Sequence, residues 1–147
     1  MAIKVANNQS LTAITALPSA VSGGAMNLLE TQTASSSATL SFTSGIDDTY
    51  DEYVFKFINI HPATDAVYFQ VNFRDGGSSY DATKTSTAFE AYHLEDDSGT
   101  ALGYKTSNDL AQSTGVQRIT SNIGNDNDQC ACGYLHLFNP SSTTFVK

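Results

Sequence analysis

Three groups of side chains in this 147-residue sequence have types and spacings that could do chemistry, and calcium binding is the first chemistry they suggest. Asp47, Asp48, Asp51 and Glu52 form one acidic cluster, Glu95, Asp96 and Asp97 a second, and Asp126 with Asp128 a third. Loop carboxylates with backbone oxygens are what calcium prefers, but none of the three has the spacing of a known calcium loop, so each reads as a solvated turn and no metal site is expected. Cys130, Cys132 and His136 share one strand parity and suggest zinc. Along an extended strand, however, His136 lies about 13 Å from Cys132, too far for one ion, and cysteines two apart have Cα atoms about 7 Å apart, at the limit for a disulfide. The expectation is two reduced thiols in a core strand. Nucleophilic catalysis would need a base and an orienting acid. His61, His93 and His136 occur without a local signature such as Gly-x-Ser-x-Gly and read as turn and strand residues, so no catalytic residue is assigned and no enzyme is expected. No glycine-rich loop has the strand-loop-helix setting or the lysine of a nucleotide site, and no cofactor is expected. Tyr68, Tyr80 and Tyr104 remain as surfaces on which a sugar ring could stack, although the chain has no tryptophan.

The elements that would position these residues are strands. Residues 38–43 alternate Ala38, Leu40 and Phe42 with hydroxyls, the period of a half-buried strand. Residues 53–60 are apolar on both faces, Tyr53, Phe55 and Phe57 against Val54, Ile58 and Ile60, which predicts a central strand. His61-Pro62-Ala63-Thr64-Asp65 is a turn, after which Val67, Phe69, Val71 and Phe73 alternate cleanly with Tyr68, Gln70, Asn72 and Arg74 until Asp75-Gly76-Gly77. Shorter strands are expected at 28–33, 87–94, 101–106, 116–123 and 130–138, and one helical turn at 107–112. Turn signals every 8 to 14 residues after Thr33 predict an all-β protein: an antiparallel β-sandwich, jelly-roll-like, of seven to nine strands.

Composition narrows the function. Seven basic against fifteen acidic residues give a net charge of −8, unsuited to gripping nucleic acid or anionic lipid. Thirty-four serines and threonines against 15% charged residues place solubility on hydroxyls, as suits an exposed β protein. No apolar run approaches the roughly 20 residues of a membrane span, and residues 1–17 lack the continuous apolar segment of a secretory signal. Residues 1–27 read as an N-terminal docking arm and 28–147 as the sandwich domain. The arm's aliphatics, Leu11, Ile14, Leu17 and Val21, are too few to fold alone and are expected to pack on a neighbour. Phe145 and Val146 open a strand that nothing follows, so the sandwich is expected to be finished by a partner or in a longer product.

Five stretches also carry a resemblance. Residues 34–46, Ala-Ser-Ser-Ser-Ala-Thr-Leu-Ser-Phe-Thr-Ser-Gly-Ile, are followed by 53–65, ending His-Pro-Ala-Thr-Asp. Later come Asp-Leu-Ala-Gln-Ser-Thr-Gly at 109–115, Ile-Gly-Asn-Asp-Asn-Asp-Gln at 123–129 and Leu-Phe-Asn-Pro-Ser-Ser-Thr-Thr at 137–144. These phrases resemble a family of structural proteins of marine tailed bacteriophages and cover nearly the whole chain after the arm. The resemblance implies a virion-associated structural protein of fibre, spike or capsid decoration type, and no enzyme; the aliphatic arm and the unpaired strand at Phe145-Val146 add the expectation that its partners are copies of itself, as a trimer in a fibre, and other virion proteins. It carries no binding residue onto this chain. Members run on through further strands beyond the position of Lys147, and Cys130 and Cys132 stand where small non-cysteine residues are expected. A carbohydrate-binding module touching a host surface glycan through Tyr68, Tyr80 and Tyr104 is the alternative expectation.

Overall fold

A computed structural model describes residues 26–144. The docking-arm residues Leu11, Ile14, Leu17 and Val21 lie outside the described residues, as do Phe145 and Val146. The chain divides into two units, Met1–Gly45 and Ile46–Lys147.

In the first unit, residues 26–45 form no strand. The strands expected at 28–33 and 38–43 are therefore corrected. Ala38 and Leu40 are exposed, and the two stretches are bridged by a side chain, Gln32 Nε2 donating to the Ser41 carbonyl at 2.9 Å. An alternating pattern becomes a strand only when a second backbone presents a ladder, and among the described residues these two stretches form none.

The second unit holds eight strands among the described residues: β1 (Glu52–Ile60), β2 (Gln70–Val71), β3 (Lys84–Ser86), β4 (Phe89–His93), β5 (Thr100–Tyr104), β6 (Leu110–Ser113), β7 (Gln117–Arg118) and β8 (Ala131–Phe138). They pair antiparallel in four two-stranded sheets, β1 with β8, β2 with β7, β3 with β6 and β4 with β5. The protein is all-β, with no helix among the described residues. The helical turn expected at 107–112 is a turn leading into β6, because Leu110 N–H is taken by the Ser86 hydroxyl at 3.0 Å and Gln112 N–H by the Thr85 hydroxyl at 3.1 Å.

The longest ribbon, β1–β8, pairs Tyr53 with Leu137, Phe55 with Leu135 and Phe57 with Gly133, so these side chains share the inner face. The alternation of β8 then turns Cys132, Tyr134, His136 and Phe138 outward. Two expectations for β1 are corrected here. Among the described residues it has one partner strand and is not central, and Ile58 on its outer face is 75% exposed. Ile60 also changes sides. A bulge between Phe57 and Ile60, with Asn59 at φ 54°, inserts a residue and brings Ile60 into the same hollow as Phe57. Asparagine tolerates this left-handed geometry better than a β-branched neighbour would.

The clean alternation at 67–73 keeps its parity, with Val67, Phe69, Val71 and Phe73 half-buried while Tyr68 and Gln70 are exposed. The ladder is interrupted, however. Val67 and Ile123 exchange both backbone hydrogen bonds, and Phe69 N–H goes to the Thr120 hydroxyl at 2.9 Å, leaving only Gln70–Val71 as regular strand. Phe69 meets Phe57 edge to face, centroids 4.9 Å apart, which packs this segment on the β1–β8 ribbon.

Burial is sparse throughout. Among the described residues only Tyr53, 5% exposed, and Ile123, 7%, are buried. Beside Phe57, Ile60, Phe69, Ile119 and Leu135 there is a void of about 90 Å³ that Gly133 also lines, and a Cβ built on Gly133 would meet nothing within 4 Å. Glycine inside a strand loses more backbone freedom on folding than alanine and fills less space. Gly133→Ala is therefore expected to stabilise the protein by about 0.4–1 kcal/mol, read as a higher urea midpoint. A lower midpoint would show that the void is needed.

Candidate interaction surface

The β4–β5 ribbon is tied to the segment after β7 through one carboxylate. Phe89 pairs with Tyr104, Glu90 with Gly103, Ala91 with Leu102, Tyr92 with Ala101 and His93 with Thr100, so Phe89, Ala91, Leu102 and Tyr104 share one face. On the other face Glu90 accepts from Lys105 Nζ at 2.6 Å and from the Ser121 hydroxyl at 2.7 Å. The second bond hooks the ribbon to the segment after β7 and leaves the Phe89 face outward. Phe89 is 71% and Leu102 74% exposed, and Tyr104 is also exposed, its hydroxyl donating to Asp109 Oδ2. That hydrogen bond, more than burial, holds the Tyr104 phenol above its usual pKa.

A second outward apolar face lies on β1–β8. Ile58, Tyr134 and Phe138 are exposed there, Lys56 Nζ sits 5.8 Å from the Tyr134 ring centroid, and His136 Nδ1 lies 2.5 Å from Glu52 Oε1. His136 is therefore a partnered strand residue, with its ring stacked on Phe138 at 6.1 Å.

The cysteines are not core thiols: both are free and exposed, which corrects the expectation. The parity of β8 faces Cys132 outward, where it accepts the Asn59 N–H of the bulge at 3.3 Å. Desolvation first, then the neighbouring Cys132, pushes the Cys130 thiol up, away from the thiolate that nucleophiles and metal ligands require.

The three tyrosines have separate partners. One ring face of Tyr68 is covered by the Arg118 guanidinium, 4.0 Å from the centroid. Tyr80 sits in the 75–82 loop with Arg74 at 5.7 Å, and its carbonyl accepts from Asn72 Nδ2 at 2.5 Å. Asn72 also takes Lys84 Nζ at 2.5 Å, so a residue that alternation assigns to the polar face anchors the loop instead. Tyr104 belongs to the β4–β5 face. The apolar partners of Tyr104, namely Phe89 and Leu102, are what reading for tyrosines alone missed; the signal available was a short ribbon apolar on the face opposite Glu90.

Carboxylates of the first two acidic clusters are engaged in local structure, and the third is tied in through the Asp126 backbone. Asp47 Oδ1 accepts from Thr49 N–H at 2.9 Å and the Tyr53 hydroxyl at 3.0 Å, and Asp96 Oδ1 from Ser98 N–H at 3.0 Å and its hydroxyl at 2.6 Å. His93 Nε2 meets Asp97 at 3.0 Å, and His61 Nε2 meets the Asp126 carbonyl at 3.0 Å. Among the described residues no three His, Cys, Asp or Glu side chains gather as metal ligands would. A hollow of about 410 Å³ at residues 120–131 is lined by hydroxyls, amides, Asp128 and Cys130, with no histidine and no paired carboxylates.

Hydrogen bonds from Thr49, first from its hydroxyl, then from its N–H, and from the Tyr53 hydroxyl hold the Asp47 carboxyl below its ordinary 3.8, and Lys105 with Ser121 hold Glu90 below 4.5. A carboxylate whose folded pKa is lowered binds fewer protons folded than unfolded. Its stabilisation is complete above the ordinary value and is lost as the pH falls through the folded one. The melting temperature is therefore expected to fall on acidification below about pH 4.5, and Asp47→Asn with Glu90→Gln should flatten that slope. An unchanged slope would assign the acid sensitivity to other carboxylates.

No protein-family model, curated protein or solved structure matches this chain. Among the described residues no helix is long and apolar enough to cross a membrane.

Proposed function

We propose that this chain is a non-enzymatic structural subunit of a bacteriophage particle, displayed on the virion surface as a fibre, spike or capsid decoration protein. In that setting its two-stranded sheets are parts of an antiparallel, jelly-roll-like sandwich completed by assembly, as a trimer where the subunit belongs to a fibre. The observation that carries the reading is the distribution of apolar side chains. Among the described residues only two are buried, a meagre core for a chain of this size, while Phe89, Leu102, Tyr104, Ile58, Tyr134 and Phe138 stand on outward ribbon faces. Isolated two-stranded ribbons are marginal in water, and neighbouring copies related by symmetry are what cover such faces in a particle. The resemblance at 34–46, 53–65, 109–115, 123–129 and 137–144 supplies the kind of particle, and the net charge of −8 suits a subunit that must stay soluble before assembly.

Antibody against this chain, applied to purified particles and viewed in negative stain, is expected to label discrete sites on the outside, with light scattering of the purified chain giving a multiple of 15.7 kDa. Particles that lack the chain by mass spectrometry would overturn the proposal. The second reading, a module contacting host surface glycan, draws on the exposure of Tyr80 and Tyr104. Tyr68 has one ring face occupied by Arg118 and so offers only the other for stacking. A glycan array tests it, with Tyr80→Ala and Tyr104→Ala expected to abolish any signal that is real.

A further inference from the structure

We propose that the outward face of the β4–β5 ribbon is the seat of residues 1–24 of a second copy of this chain, an exchange of N-terminal segments between subunits. The inference rests on the reading of the chain as a subunit of an assembly and names what covers one of its faces.

The face is a strip with charge at one end. Phe89, Ala91, Leu102 and Tyr104 line it, the Tyr104 ring being fixed by its bond to Asp109. The turn joining β4 to β5 carries Glu95, Asp96 and Asp97, and the Ser98 hydroxyl and N–H hold Asp96 below its ordinary 3.8. Any occupant must cover apolar surface without bringing further negative charge to that turn.

Size and charge select the occupant. Fully buried aromatic side chains cover about 150–250 Å² each, so a strip of two aromatics, one leucine and one alanine, already partly covered, offers on the order of 400 Å². A stable globular contact needs about 800 Å² from each partner, so the strip suits one extended segment better than the body of another subunit. A second body would also bring like charge. Lys4 is the one charged side chain before Glu30, which leaves six basic and fifteen acidic side chains, a formal −9, on everything after it. Residues 1–24 pair aliphatics, Leu11, Ile14, Leu17 and Val21, with a complete absence of carboxylates, and carboxylate-free aliphatic runs such as 53–64, 110–125 and 129–138 are already engaged in the strands of the second unit. At about 3.3 Å per residue, Leu11 to Leu17 spans about 20 Å, against about 13 Å for the five residues of β4, so the segment covers the strip with length to spare.

The test uses full-length chains. Leu102→Asp spoils the strip, and because Leu102 is 74% exposed the fold is expected to survive, checked by far-ultraviolet circular dichroism. Leu11→Asp with Leu17→Asp spoils the segment. Each variant alone is expected to associate at least tenfold more weakly than the parent by light scattering. Mixed one to one, with a tag on one of them, the two are expected to co-purify, because the intact segment of the Leu102→Asp chain seats on the intact strip of the other. If the mixture fails to co-purify, the segment does not cross between subunits and the proposal falls. If Leu102→Asp assembles like the parent, the copies meet through other faces, and this seat falls while the assembly reading stands. A parent chain that is monomeric at every concentration overturns both.

Discussion

Tyr53→Ala is expected to cost about 3–5 kcal/mol and to leave little folded protein, whereas Tyr53→Phe should cost only about 1 kcal/mol. Tyr53 is one of the two buried residues among those described, it pairs with Leu137 across the longest ribbon, and its ring meets Tyr50 edge to face at 5.8 Å. Removing the ring leaves a cavity where the molecule has least to spare. Removing only the hydroxyl loses the hydrogen bonds that close the acidic loop onto β1, with Asp47 N–H at 3.1 Å and Asp47 Oδ1 at 3.0 Å. Urea unfolding of the two variants separates the contributions. Equal losses for both would place the stabilisation in the loop closure, and a parent-like midpoint for Tyr53→Ala would show that the fold is centred elsewhere.

Phe69→Ala is expected to cost about 2–3 kcal/mol, less than a fully buried phenylalanine, because Phe69 is half-buried and the void of about 90 Å³ beside it already weakens its packing. What the substitution removes is the edge-to-face contact with Phe57, the link between the 67–71 segment and the β1–β8 ribbon. Hydrogen exchange adds a local readout. Protection at Val67 and Ile123, whose backbones bond each other at 3.1 and 2.7 Å, should fall more than protection along β8. Uniform loss would mean that the two sheets unfold as one unit.

The two predictions differ in how far they could be read from the sequence. The period-two run at 67–73 assigns Phe69 to the inner side, and the structure keeps that parity because a slip of one residue would turn every apolar side chain to water. The same pattern puts Tyr53 on the face of Phe55 and Phe57, but nothing in it distinguishes the deeply buried tyrosine from its half-buried neighbours. That difference depends on the acidic loop folding back so that Asp47 meets the hydroxyl six residues away. The ribbon face of Phe89, Leu102 and Tyr104 was legible only in part, as strand positions at 87–94 and 101–106. Its outward direction goes with a contact no local pattern announces, Glu90 accepting from Ser121 thirty-one residues along the chain.

Although it did not announce β3 and read β6 as a helical turn, the sequence by itself determined the all-β class, the positions of β1, β4, β5 and β8 to within two residues, and the inner side of the 67–73 run. These follow from local chemistry: side-chain alternation, β-branched and aromatic content, and turn residues that act within four or five positions. The tertiary structure decided which strands pair, the bulge at Asn59 that moves Ile60 into the inner hollow, the outward exposure of Cys132, and the absence of a ladder at 28–33 and 38–43. Each of these depends on a backbone brought from elsewhere in the chain. A strand's pattern states which face prefers to be dry, but only a second strand, or a side chain such as Thr120 standing in for one, settles where its hydrogen bonds go and how much of that face is covered.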